Sequence, residues 1–365
     1  MDDYTWQKTL QKRRSNRHRQ SLFLFLLLGA IIASAIWYFG IYTRTPEYAL
    51  QQAMNAIKNN DAATFQQNVN LDLLTSNAYD DLTVDLFAYD STLTPQTKVL
   101  FEKFYVMIKP QLTNGVKETI LSRLSRDAWI LPGGIDILKG RQLGIDFERF
   151  LERSQLRNTT FVSIGSISHN GTTATAELNV IEDYTQTPFT LELVMEENHD
   201  GHWQIAYIKN YKDYLNTIAP LQNKDIADYI AATQDIVDNS NREFLQQQQR
   251  FKNLTKTSSG VLSEGQKSEI RALLLDEVIP SLKKRQQKLD EIPVPPGAFY
   301  LARLRQQSTE ITIKTWQHYV KALREDKPVE FETAETLHKQ QLEIDLRIED
   351  IIKHTAVSKN IPNIP

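Results

Sequence analysis

Residues Leu22 to Tyr42 read LFLFLLLGAIIASAIWYFGIY, 21 positions without a charged side chain. As a helix rising 1.5 Å per residue, that run extends about 31 Å, the depth of one bilayer core. Lys12, Arg13, Arg14, Arg17 and Arg19 precede it, and Arg44 is the first cation beyond it. Cations flanking a membrane helix stay in the cytoplasm, so the expectation is a single-pass anchor in the cytoplasmic (inner) membrane, N-terminus inside and most of the chain outside. Trp37, Tyr38 and Tyr42 gather at the far end, where amphipathic rings favour the headgroup layer. Two other readings compete. Ala33-Ser34-Ala35 offers the small residues of a leader-peptide cleavage site, although Ile36-Trp37-Tyr38-Phe39 continues apolar past it. A buried core helix of a soluble protein would need the basic flank and aromatic rim to be coincidental.

Composition narrows the function. The 365 residues hold 42 Lys+Arg against 45 Asp+Glu, a net charge of −3. The first 21 residues carry six of those cations and only Asp2 and Asp3 as carboxylates, so the remainder is acidic and a nucleic-acid-binding surface is not expected. The absence of cysteine excludes disulfides, thiol nucleophiles and Cys-ligated metals. No nucleophile elbow, dinucleotide fingerprint, P-loop or H-E-x-x-H occurs, so no cofactor is expected and catalysis is disfavoured.

The spacing predicts an α+β chain in four parts: a basic cytoplasmic tail (1–21), a transmembrane helix (22–43), an α+β domain (46–218) and an all-α four-helix bundle (219–365). Thr45-Pro46 starts a helix carrying Tyr48, Ala49, Ala53, Ala56 and Ile57, Asn59-Asn60 ends it, and Asp61 caps the next. After Pro95 a helix puts Val99, Leu100, Phe104, Met107 and Ile108 on one side, and Val116, Ile120, Leu121 and Leu124 continue after Gly115. From Thr159 the period becomes two. A first strand holds Val162 and Ile164, and Asn170-Gly171 supplies two positive-φ turn residues. The second alternates Ala174, Ala176, Leu178 and Val180, the third Phe189, Leu191, Leu193 and Met195. After Asp200-Gly201, Trp203, Ile205 and Tyr207 face inward on the fourth. The expectation is a four-stranded antiparallel meander whose apolar face the preceding helices cover.

Helices first and a meander last, ending in Asp200-Gly201-His202-Trp203-Gln204-Ile205, resembles the cone-shaped α+β fold of nuclear transport factor 2, scytalone dehydratase and ketosteroid isomerase. The segments Tyr48-Ala49-Leu50 through Ala56-Ile57-Lys58, Asp61, Phe65 and Asn77-Ala78-Tyr79-Asp80-Asp81-Leu82 resemble an uncharacterised family of bacterial membrane-anchored extracytoplasmic proteins. The likeness covers about residues 46–215, and the helical insertion near 94–126 departs from it. Such a fold implies a pocket between sheet and helices, for which Tyr105, Asp183, Tyr184 and Tyr207 are the available lining.

Beyond Asn223 alternation ceases. Ile226, Ile230, Thr233, Val237, Phe244 and Phe251 form one stripe, and Ala334, Leu337, Gln341, Ile344, Ile348 and Ile351 another. Short connections make an up-down bundle, and the alternative use of the same stripes is a dimeric coiled coil giving a homo-oligomer. Ala219-Pro220 reads as a hinge or a helix start. Lys283-Lys284-Arg285 with Lys288 is a basic patch; His199 with His202, and Glu335 with His338, have metal-ligand spacing but lack further ligands. The expected function is a membrane-anchored, non-catalytic binding, scaffold or sensor module of the bacterial envelope, meeting a protein or cell-wall partner through the bundle. The alternative is a tethered small-ligand binder or enzyme using the pocket.

Overall fold

The computed structural model describes residues 26–35, 37–38, 40–84, 94–130, 147–257 and 261–358. The basic tail, with Lys12, Arg13, Arg14, Arg17 and Arg19, lies outside the described residues, as do the first four positions of the charge-free run. Residues 26–35 are helical with every side chain exposed. Among the described residues no helix is long and apolar enough to cross a membrane.

Thr45 caps helix α1 (Pro46–Lys58), its hydroxyl accepting from Tyr48 N at 3.2 Å, with Pro46 in the first turn where no N–H is needed. Asn60 at φ 56° ends it, and Asp61 caps α2 (Ala62–Asn68) through Ala63 N and Thr64 N. There follow α3 (Leu71–Val84), α4 (Pro95–Arg126) and α5 (Phe147–Arg153). The single helix α4 passes unbroken through Pro110 and Gly115. Because its phase never resets, one stripe is buried, Tyr105, Ile108, Leu112, Val116 and Thr119, and the expected inward positions Val99, Leu100 and Met107 are exposed instead.

The sheet is the expected meander, β1 (Thr159–Asn170), β2 (Thr173–Glu182), β3 (Thr187–Glu197) and β4 (Trp203–Ile208), in order β1-β2-β3-β4. Asn170 pairs with Thr173 across the first turn, and only Gly171 there has positive φ, +64°. Glycine therefore occupies the first central position of Gly171-Thr172, and Asn170 belongs to the strand rather than to the turn. Ala174, Ala176, Leu193, Met195, Trp203 and Ile205 pack beneath α1, α2, the start of α3 and Leu124 of α4.

One residue alters the fourth strand. Met195 pairs with Ile205 but Val194 pairs with Tyr207, so Ala206 is an extra residue in β4. A one-residue bulge exchanges the faces of everything after it. Ile208 therefore packs into the core opposite Leu193, and Tyr207, expected inward, lies on the opposite face.

Helix α6 (Tyr211–Leu254) begins against the same sheet, where Tyr211, Tyr214 and Ile218 meet Val180 and Leu191, and continues without a break into the bundle. Pro220 is inside this helix, so the Ala219-Pro220 site is not a helix start. The remaining bundle helices are α7, α8 (Phe299–Glu325) and α9 (Pro328–Ser358). Three segments compose α7: Glu264–Ala272, the π-helical Leu273–Val278, and Ile279–Asp290. The wide turn ends just before Pro280, where Ile279 N bonds Leu274 O; a widened turn accommodates a proline whose ring would crowd an α-helical carbonyl. Apolar side chains fill the bundle at its two ends, around Tyr229, Leu301, Leu304, Ile344 and Ile351, and around Leu273, Leu274, Val278, Val320 and Leu323. Lys283, Lys284 and Lys288 are exposed, whereas Arg285 turns inward, so the basic patch is one residue smaller than the sequence suggests.

Candidate functional site at the domain junction

The four expected pocket residues do not converge. Tyr105 is buried between α3, α4 and α5, its carbonyl accepting from Tyr79 OH at 2.8 Å, and burial raises its phenol well above the ordinary range. Tyr207 is on the far face of the sheet. Asp183 and Tyr184 occupy the β2–β3 turn. Asp183 is exposed and accepts from Thr160 Oγ1 at 2.6 Å. Tyr184 meets Phe299 of α8 edge-on at 6.2 Å, and its phenol is pushed up to about 12, by burial first and then by the neighbouring Glu152 carboxylate.

That turn belongs to a polar cluster where the α+β domain meets the bundle. Alternation along β2 puts Glu182 on the apolar face, two residues past Val180, and it is wholly buried. Its carboxylate accepts from Tyr184 N at 3.1 Å, Thr185 N at 2.7 Å, Thr185 Oγ1 at 2.6 Å and Gln222 Nε2 at 3.2 Å. Gln222, on α6, also exchanges amide hydrogen bonds with Gln155 at 3.0 Å in both directions. One turn further along α6, Asp225 accepts from Gly297 N at 2.9 Å. A Cβ on Gly297 would stand 2.9 Å from Gln222 Cα, so only glycine lets the α7–α8 connection lie this close to α6.

A second buried carboxylate supports the first. Glu152 pairs with Arg157 Nη2 at 3.1 Å and accepts from Asn158 Nδ2 at 3.3 Å, while Asn158 O receives Asp183 N at 2.8 Å. Thr159 and Tyr214 hydroxyls meet at 2.7 Å and Tyr211 OH donates to Ser154 O at 2.7 Å. Both phenols are raised chiefly by burial, that of Tyr214 to about 12. Glu182, with four donors on its two carboxylate oxygens, holds the β2–β3 turn and α6 together.

The remaining candidates lie elsewhere. His199 and His202 are exposed around a turn closed by Asn198 and Gly201, Glu335 pairs with Lys339 at 2.7 Å, and His338 meets Gln341 at 3.2 Å. Among the described residues no group of three or more His, Cys, Asp or Glu could hold a metal ion. Comparison with protein-family models, with curated proteins and with solved structures returned no match.

Proposed function

We propose that this chain is a single-pass, N-in membrane protein of the bacterial envelope that acts by binding, as a scaffold or sensor, and presents its bundle to a protein or cell-wall partner. The junction carries this reading: one continuous helix and a set of buried carboxylate and amide bonds fix the bundle to the α+β domain, which suits an arm that displays a surface. The charge-free run supports the anchor. So does the ring stack at its far end, where Trp37 and Tyr42 lie 5.7 Å apart and Tyr42 meets Tyr48 edge-on at 5.4 Å. The element order of helices followed by a meander supports kinship with the cone-shaped α+β proteins. Leu342 and Leu346, one turn apart on the outer side of α9, are 47% and 45% exposed, and single apolar residues so placed are natural anchors for a partner.

In native membranes, site-specific cross-linkers at positions flanking Leu342 should capture one distinct partner, and the double substitution Leu342→Arg, Leu346→Arg should abolish that product while leaving the fold unchanged. An identical cross-linking pattern with and without the substitutions contradicts a binding role for this face.

A further inference from the structure

Helix α9 packs on α8 and α6 through one side and leaves the opposite side exposed. Along that outer side Glu335, Lys339, Leu342, Leu346, Glu349 and Lys353, all exposed, recur at alternating steps of four and three. This is the spacing of a coiled-coil seam, and it is separate from the inner stripe of Ala334, Ile344 and Ile351 that the bundle buries. A seam needs a second helix, and among the described residues none covers this one.

The order of side chains along the seam selects the helix that fits it. Leu342 and Leu346 lie two places either side of Ile344, Lys339 and Glu349 five places, and Glu335 and Lys353 nine. Turning the helix end for end about Ile344 therefore puts a carboxylate where each ammonium was, an ammonium where each carboxylate was, and leucine on leucine. Two copies of α9 packed antiparallel about a two-fold axis there set Leu342 against Leu346 of the second copy, Lys339 against Glu349 and Glu335 against Lys353. Every one of these contacts occurs twice, as a self-complementary two-fold interface requires. Parallel packing would instead bring each charge onto its own copy, four like-charge contacts in a row.

Within each helix Glu335 already pairs with Lys339 at 2.7 Å, and Glu349 with Lys353 at 2.9 Å. Antiparallel docking sets one such pair on the other with opposite charges facing, so four charges alternate around each end of the seam. Exposed ion pairs add little affinity, but they decide orientation. The covered leucines supply the affinity. The other ionised side chains between Glu335 and Lys353, namely Glu343, Asp345, Arg347 and Asp350, are half-buried and off the seam, with Asp345 accepting from Ser308 Oγ of α8 at 2.6 Å.

We propose that the outer face of α9 docks on the same face of a second copy of this chain, as an antiparallel pair centred on Ile344. This rests on the binding reading of that face and names its occupant.

The test uses the full-length protein purified in detergent. The chain has no cysteine, so introduced thiols are the only ones present. Lys339→Cys and Glu349→Cys, differently tagged, mixed and mildly oxidised, should form a disulfide-linked heterodimer, while neither links to itself. In the antiparallel pair position 339 is at least about 15 Å from its own copy, beyond the reach of a disulfide. Self-linking of Lys339→Cys would show parallel pairing and overturn the proposal. In sedimentation, Lys339→Glu should weaken the dimer at least about tenfold, because it creates two like-charge contacts per pair, and adding Glu349→Lys should restore it. The double change leaves both within-helix pairs like-charged, so recovery reports contacts between copies rather than helix stability. A monomer at every concentration, or a dimer indifferent to Lys339→Glu, also overturns the proposal. A monomeric chain whose cross-linkers beside Leu342 still capture a different protein, lost with Leu342→Arg, Leu346→Arg, refutes the second copy and leaves the binding role standing.

Discussion

Glu182→Ala should destabilise the folded chain by about 3–5 kcal/mol, measured as a shift of the urea midpoint at constant slope. The carboxylate is wholly buried and is the common acceptor for Tyr184 N, Thr185 N, the Thr185 hydroxyl and Gln222. Removing it strands two backbone donors, each at a cost of about 1–3 kcal/mol before relaxation, and leaves the Thr185 hydroxyl and the Gln222 amide with only Thr187 and Gln155 as partners. Glu182→Gln is the informative companion. It keeps the volume and one carbonyl acceptor but presents an NH2 group to donors, so it should fall between wild type and alanine. Gln222→Ala combined with Glu182→Ala should cost less than the two single changes together, because the bond between them is lost only once. Full additivity would show that Gln222 and Glu182 do not communicate.

The second large effect is at the other end of the α+β domain. Leu50 of α1 is completely buried on the inner face of the sheet, in the cluster that holds Met195 and Trp203. Leu50→Ala should cost about 2–5 kcal/mol, the lost transfer energy plus the cavity left behind. Two native probes report its reach. Trp203 lies within the same cluster, and Trp316 packs against Phe251 in the bundle, ring centroids 5.5 Å apart. Because α6 is one helix shared by both parts, the two fluorescence transitions should move together. A transition at Trp203 that shifts while that at Trp316 stays in place would mean that the bundle folds independently and that the junction transmits little.

The meander was legible in the sequence because period-two alternation, with glycine in two of the three hairpin turns, leaves few arrangements open, and Ala174, Ala176, Leu191, Leu193 and Met195 all face the core as the alternation requires. The Ala206 bulge was not, since nothing in Trp-Gln-Ile-Ala-Tyr-Ile marks which residue is extra; the pairing partner, Val194 or Met195, decides it. That one residue moved Tyr207 to the other face of the sheet. In α4, the apolar residues outnumber the places on one stripe, so composition could not tell Ile108 from Met107.

The junction left a trace that alternation alone would have exposed. Extending the inward positions of β2 from Val180 by two places reaches Glu182, a carboxylate on an apolar face. Its partners were hidden, because Gln155 and Gln222 are 67 residues apart and meet only through the fold. Arg305 left the same kind of trace beside Leu301 and Leu304 on α8. A charged residue on a buried stripe is the signal, and the identity of what it meets is written elsewhere in the chain.

The most direct test of the central claim, an anchored chain with its folded parts outside the cytoplasm, is a pair of reporter fusions to the intact chain in bacterial cells. One carries alkaline phosphatase, active only outside the cytoplasm, and the other a green fluorescent protein that matures only inside, each joined after residue 358, with membrane and soluble fractions assayed separately. The account predicts phosphatase activity confined to the membrane fraction and no fluorescence. Fluorescence in the cytoplasm, or phosphatase activity in a soluble fraction lacking residues 1–35, would contradict it.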